Sequence, residues 1–315
     1  MEYRKLGHSG IAVSALSLGS WLTFEYIGEQ DGLAVIARAI DGGINFLDDA
    51  RYDDRTGKAP IPSGYSEVVF GRLLRKGGWK RESLVIANKL WFEFYPKEDL
   101  TAELNGSLSR LQMDYLDIVY CAEPPASLPL LDMLRQIERL IASGKLRTWG
   151  VLNWPAEQIE DTCKLAIAER LPPPCAAQLP YSIVQRLPVE MPQTQRVCDA
   201  HGIGVVASYT LHGGLLSGKY SGAPASTDHR MDGKQLEELR RKGMLEKAAQ
   251  VADFAQELGC TSAQLAIAYC LKNPSVASVL FGAKTPKQVE ENLGALNILG
   301  AVDDGILNQL RAITP

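Results

Sequence analysis

The chain has 315 residues, 46% of them apolar and 22% charged, with a formal net charge of −4, the profile of an ordinary globular protein. It carries no basic surplus to neutralise a nucleic-acid backbone and no apolar run long enough to span a bilayer, so a small-molecule partner is expected, without nucleic acid or membrane insertion. Six dispersed cysteines with no close C-x-x-C pair and no preceding signal sequence, and four histidines outside any H-E-x-x-H spacing, predict a reduced, cytoplasmic protein with no metal site.

Two short extended runs, 3–7 and 11–14, flank His8-Ser9-Gly10 and read as an N-terminal β-hairpin. Leu16-Ser17-Leu18-Gly19-Ser20-Trp21 follows as a first buried strand. Residues 31–41 have helical spacing, with Asp31 as N-cap and Gly42-Gly43 as the stop. Next comes Gly43-Ile44-Asn45-Phe46-Leu47-Asp48-Asp49-Ala50, an apolar run that ends in two carboxylates. From there the pattern alternates: helix 66–76, strand 84–89, helix 97–110, strand 115–121, helix 129–143, strand 148–153 and helix 155–169. Strand 176–181, helix 190–200, strand 203–209, helices within 244–272, strand 276–281 and helix 286–296 complete eight units.

Strands that alternate with helices imply a parallel sheet, and eight units with nothing left over imply a closed (β/α)8 TIM barrel whose bottom the hairpin closes. Residues 1–315 then form one domain. No G-x-G-x-x-G follows the first strand, which argues against a Rossmann fold. Two connections, 51–64 and 212–243, are long and rich in Gly, Pro, Asp and Ser; they read as active-site loops or lids, or as plain surface loops.

Barrel active sites collect at the C-terminal ends of the strands. Asp48 stands at such an end, where an Asp also serves as a turn or cap residue. Lys89 ends the run Ile86-Ala87-Asn88-Lys89 directly, so its stem is expected to be buried and to need a counter-charge, which Asp48 on the neighbouring strand can supply. A Tyr beside that pair would be a proton donor, because an ammonium favours phenolate.

These runs resemble the aldo-keto reductases over nearly the whole chain, particularly the branch that includes voltage-gated potassium channel β subunits. The strand ending at Asp48 is similar to the one that carries the family's catalytic Asp, and Val85-Ile86-Ala87-Asn88-Lys89 to the one that carries its Lys. Trp149-Gly150-Val151-Leu152-Asn153-Trp154 resembles the strand whose Ser and Asn hold the nicotinamide carboxamide, with Leu152 in place of the Ser, and Gln178 falls where the third amide ligand stands. Gly213-Gly214-Leu215-Leu216-Ser217-Gly218-Lys219-Tyr220 resembles the loop that wraps the cofactor pyrophosphate. Gly282-Ala283-Lys284-Thr285-Pro286-Lys287-Gln288-Val289-Glu290-Glu291-Asn292 resembles the adenosine-end signature.

The resemblance implies an NADP(H) cofactor, with Asn153, Gln178 and Tyr209 at its nicotinamide, Gly213, Ser217 and Lys219 along its pyrophosphate, and Trp21 and Leu211 also among the cofactor-binding residues. At the adenosine end it implies Gly282, Lys284, Gln288, Glu291 and Asn292. The physics agrees: a loop entering a helix offers free backbone N–H groups to an anion, and Lys284 suits a 2′-phosphate. Gln288, Glu291 and Asn292 also read as a solvated helix face.

The chain departs from the pattern in three places. The family's proton-donor Tyr stands five residues after the Asp, where this chain has Asp53; Tyr52 is one residue early, and an insertion runs to Gly64, so Tyr52 and Tyr65 compete. Ala122 occupies the position of the family's His, or Asn in the channel branch; Glu123 is a weak substitute because strand alternation points it away, and His212 reads either as a replacement at the site rim or as a loop His with no catalytic part. The stacking aromatic has moved by one place to Tyr209: either a local bulge restores it to the nicotinamide face, or Tyr209 is a strand residue and something else stacks the ring.

The expected function is NADPH-dependent reduction of an aldehyde or ketone by hydride transfer with proton donation from a Tyr, in an atypical site. Asp48, Tyr52 and Lys89 form its catalytic set. The alternatives are a catalytically weak NADP(H)-binding module that senses redox state or regulates a partner, and a reductase of an unusual acceptor such as an imine.

Overall fold

Along the strand Leu116–Cys121 all six residues are buried, yet they face two different environments. Ile118 and Tyr120 point into one apolar cluster with Phe46, Ala87 and Val206. Val119 and Cys121 point into another with helix residues such as Leu134 and Ile137. A strand packed on both faces needs apolar residues at every position, whereas a helix over the sheet needs them on one stripe only. The helix Leu130–Ala142 shows that stripe in Met133, Leu134, Ile137 and Leu140.

The computed structural model describes residues 1–218, 220 and 233–313. Strands β1 (Tyr3–Lys5) and β2 (Ala12–Ser14) pair antiparallel as the N-terminal hairpin, with a 3-10 turn at Gly7–Ser9 between them. The barrel strands are β3 (Leu16–Gly19), β4 (Phe46–Asp48), β5 (Val85–Leu90), β6 (Leu116–Cys121), β7 (Leu146–Leu152), β8 (Ala176–Pro180), β9 (Gly204–Ser208) and β10 (Val276–Phe281). They close as β10-β3-β4-β5-β6-β7-β8-β9, parallel at every pairing, which is the expected (β/α)8 barrel.

The surrounding helices are α1 (Glu29–Asp41), α2 (Tyr65–Gly77), α3 (Leu100–Leu111), α4 (Leu130–Ala142), α5 (Ala156–Ala168), α6 (Leu187–Glu190) and α7 (Pro192–His201). They continue with α8 (Gly233–Arg241), α9 (Met244–Glu257), α10 (Ser262–Leu271), α11 (Pro286–Leu293) and α12 (Asp304–Ile313).

Four sequence expectations change. The N-cap of α1 is Gly28, with no side-chain cap bond, and Asp31 lies inside the first turn instead; a carboxylate there still meets the positive end of the helix dipole. The stretch 212–243, read as loop, contains a 3-10 segment at His212–Ser217 as well as α8. Helix α11 stops at Leu293 and continues as a 3-10 turn, Gly294–Ile298. Helix α12 went unpredicted. Its anchor is Arg311, which lies 3.8 Å from Glu190, a carboxylate that also accepts hydrogen bonds from Tyr181 (2.8 Å) and Tyr269 (2.5 Å).

Candidate active site

The C-terminal ends of the strands open on a cavity of about 900 Å³. In the parallel register Asp48 stands opposite Ala87, so Lys89, two residues further along β5, faces the same way one step higher. Its Nζ donates to Asp48 Oδ1 at 2.6 Å and to the Asp49 carbonyl at 3.1 Å. Gln178 reaches across from β8, on the far side of the barrel, and its Nε2 donates to Asp48 Oδ2 at 3.0 Å. Both oxygens of a buried carboxylate thus have donors, which a desolvated charge requires.

Tyr52 is the tyrosine of this cluster. Lys89 Nζ lies 5.7 Å from the centroid of its ring, and Trp21 and Trp91 flank it at 6.5 and 6.4 Å. Tyr65 is the first residue of α2, packed against the helical layer and absent from the cavity wall. The insertion does not fold Tyr65 back over the site; it turns on itself between Tyr52 and Gly64, whose N–H donates to the Tyr52 carbonyl at 2.8 Å.

Arg51, immediately before Tyr52, is 7% exposed and surrounded by Glu98, Glu103 and Glu93 at 2.9, 3.3 and 3.5 Å. Glu103 in turn accepts the backbone N–H groups of Trp91 and Phe92 at 2.8 and 3.2 Å. Burial pushes the Glu103 carboxyl up, against those hydrogen bonds and Arg51. This clamp holds the segment that presents Tyr52, and the sequence carried no sign of it, because its members are joined only by the fold.

Behind the pair, Asp49 is fully buried. Burial and the nearby Glu67 carboxylate hold it well above the ordinary carboxylate range, although Ser20 donates to it. Of the two adjacent carboxyls, Asp48 is the one matched to Lys89. Glu67 bonds Asn88 at 2.9 Å and Arg110 at 2.5 Å, and the Asn88 side chain accepts the Lys89 backbone N–H at 2.6 Å.

The structure brings the other expected residues to the same cavity: Trp21, Asn153, Gln178, Tyr209, Leu211, Gly213 and Ser217 along one part, and Gly282, Lys284, Gln288, Glu291 and Asn292 at the other end. Lys219 lies outside the described residues. Asn153 is left-handed (φ 60°) and its N–H donates to the Gln178 carbonyl at 3.0 Å. Strand β9 ends at Ser208, and Tyr209 turns outward by a left-handed backbone (φ 57°), leaving it 40% exposed on the cavity wall. The register irregularity between β9 and β10 lies between Val276 and Ser278 of β10, and β9 itself has no bulge before Tyr209 in its described pairings.

At the start of α11, Thr285 Oγ1 accepts the Gln288 N–H at 3.2 Å and Gln288 Oε1 accepts the Lys284 N–H at 2.7 Å. Two amides that the sequence offered to an anion are therefore already bonded, and the Lys284 side chain remains on the cavity wall, its Nζ 5.6 Å from the Tyr26 ring centroid.

Ala122 follows β6, its N–H donating to the Leu90 carbonyl at 2.9 Å. Neither Ala122, Glu123 nor His212 is part of the cavity wall. His212 packs against Tyr209 with ring centroids 4.8 Å apart, and burial, reinforced by Lys242, lowers its pKa to about 4. No described helix is long and apolar enough to cross a membrane.

Comparison with known proteins agrees with this geometry. The chain is 31% identical to a protein of Oryza sativa subsp. japonica named "Probable voltage-gated potassium channel subunit beta", over 99% of this chain and 96% of that one. Residues 15–313 match the model of the Aldo/keto reductase family. With a closed parallel barrel, a buried Lys–Asp pair at its mouth and a family match over most of its length, the chain belongs to the aldo/keto reductase family of oxidoreductases.

Proposed function

We propose that the protein is an NADP(H)-dependent reductase that converts an aldehyde or ketone to an alcohol, with Tyr52 as proton donor. The observation that carries this reading is Lys89, hydrogen-bonded to Asp48 at 2.6 Å and facing the Tyr52 ring, in a cavity that continues to Lys284.

The residues present fit a dinucleotide. Gly213 and Gly214 have φ of 66° and 96°, a left-handed backbone that a Cβ would strain, and they open main chain toward the cavity. Tyr209 offers a ring face, Asn153 and Gln178 offer amides, and the Lys284 ammonium suits a 2′-phosphate, which favours NADP(H) over NAD(H). When bound, the reduced nicotinamide supplies a hydride to the acceptor carbon. Tyr52 gives its proton to the acceptor oxygen, and the Lys89 ammonium stabilises the phenolate left behind. Asp48 holds that ammonium in place, and Gln178 holds Asp48. The six unbonded cysteines support a reducing, cytoplasmic setting.

A second reading rests on Ala122, which has no side-chain donor to polarise a carbonyl. An imine acceptor needs less polarisation, and a cofactor-holding module that regulates a partner needs none; the name of the rice relative points to the latter. The test is NADPH consumption against aldehydes, ketones and an imine, with Lys89→Met as control. Turnover that the variant abolishes supports the reductase, the preferred acceptor separating carbonyl from imine. NADPH binding without consumption by any acceptor would leave the regulatory module.

A further inference from the structure

The inserted segment 51–64 is a built structure. The Asp54 carboxylate accepts hydrogen bonds from the Thr56 N–H (2.8 Å), the Thr56 hydroxyl (2.6 Å) and the Ala59 N–H (3.2 Å), while the Asp54 N–H donates to the Pro62 carbonyl at 2.8 Å. This closed turn fixes the backbone of Arg55. The Arg55 guanidinium lies over the Trp21 ring, 5.9 Å from its centroid, and the residue forms part of the cavity wall. Arg51, at the other end of the same segment, is neutralised by three glutamates. Arg55 has no ion pair among the described residues.

The position of Arg55 along the cavity tells what it faces. One lip is formed by the loops after three adjoining strands, β10, β3 and β4. Lys284 lies over Tyr26, Arg55 over Trp21, and Trp21 beside Tyr52. Arg55 is also close enough to Tyr26 to act on its hydroxyl electrostatically. The order runs from the adenosine end, through Arg55, to the hydride-transfer end at Tyr52 and Lys89. A dinucleotide stretched along that lip carries one anionic group at mid-length, its pyrophosphate. A guanidinium resting on an indole keeps its N–H edge available for phosphate oxygens, in the planar geometry arginine is suited to.

We propose that Arg55 binds the pyrophosphate of the dinucleotide, as a cationic contact supplied by the insertion and additional to Gly213, Gly214 and Ser217. The proposal rests on the dinucleotide reading of the cavity. Its consequence is that the insertion grips the shared backbone of NADPH and NADH and leaves the discrimination between them to Lys284.

The test is direct binding, by fluorescence quenching or calorimetry, of NADPH, NADH and ADP-ribose to the wild type, Arg55→Gln, Arg55→Lys and Lys284→Gln, at low and high salt. Arg55→Gln is expected to weaken all three ligands by a common factor of roughly tenfold at low salt, less at high salt, with Arg55→Lys in between. Lys284→Gln is expected to weaken NADPH alone. Unchanged affinities in Arg55→Gln overturn the proposal, including the case in which only the KM of a carboxylate-bearing acceptor rises. A loss confined to NADPH overturns it too, by assigning Arg55 to the 2′-phosphate. A wild type that binds none of the three ligands overturns the dinucleotide reading itself, a result distinct from binding that Arg55 does not influence.

Discussion

The Lys89 ammonium and the Asp48 carboxylate meet at 2.6 Å where only 4% of one residue and 2% of the other touch solvent. A pair at that depth has given up its hydration and depends on its partners, so removing one member leaves a buried charge unmatched. Gln178, which donates to Asp48, and the Asp49 carbonyl, which accepts from Lys89, extend the network on both sides.

Lys89→Met is therefore expected to destabilise the protein by about 3–5 kcal/mol, the usual range for breaking a buried pair from one side, and to abolish turnover. Asp48→Asn, of nearly the same shape, should cost less stability yet still reduce kcat about 10²-fold, because the ammonium loses its counter-charge. Urea melts and NADPH oxidation assays read the two effects separately. Full activity in either variant would remove this pair from the mechanism.

The two tyrosines that compete in the sequence should separate cleanly. Tyr52→Phe, which deletes the hydroxyl of the ring that Lys89 Nζ faces at 5.7 Å, is expected to lower kcat by about 10²–10⁴-fold with dinucleotide affinity largely kept. Tyr65→Phe alters a residue outside the cavity and should leave kcat within about twofold. The opposite ranking would make Tyr65 the proton donor.

Glu103 supports the site through Arg51 and through two backbone amides. Glu103→Gln sets an amide NH2 against one of those N–H donors, at an expected cost of about 1–3 kcal/mol. Looser seating of Arg51 should carry over to Tyr52 and lower kcat more than it raises KM. Steady-state kinetics alongside a thermal melt checks both, and an unchanged melting temperature would count against the clamp.

His212 predicts a direction for acid stability. Its pKa is about 4 in the folded chain against an ordinary 6.5, so between those values the unfolded chain binds the extra proton and the folded one resists it. Stability should fall as pH drops from about 6.5 to 4, by up to about 3 kcal/mol, and this contribution should change no further below pH 4. His212→Gln should flatten that part of the profile in urea melts from pH 4 to 7; a profile identical to wild type would show that His212 titrates normally.

The order of helices and strands was legible in the sequence because each element stands in a distinct environment. Barrel strands such as Leu116–Cys121, buried on both faces, are apolar throughout, while helices such as Leu130–Ala142 carry one stripe. Asp48 and Lys89 were legible for a related reason: polar residues that end apolar strands must lie at the barrel mouth, and adjacent strands bring them together. Helix α12 was missed, its tie to the barrel running through the remote Glu190.

Other features came only from the tertiary structure. The bond from Gln178 to Asp48 crosses the barrel, and the Arg51 clamp joins the loops after β4 and β5 to helix α3. Whether Tyr52 or Tyr65 reaches the cavity wall depended on whether the insertion closed on itself or folded over the site, and Asp54's three hydrogen bonds accompany the first. Burial periodicity is written locally, one residue after another. Contacts between loops depend on where the closed barrel carries their ends, and no local pattern records that.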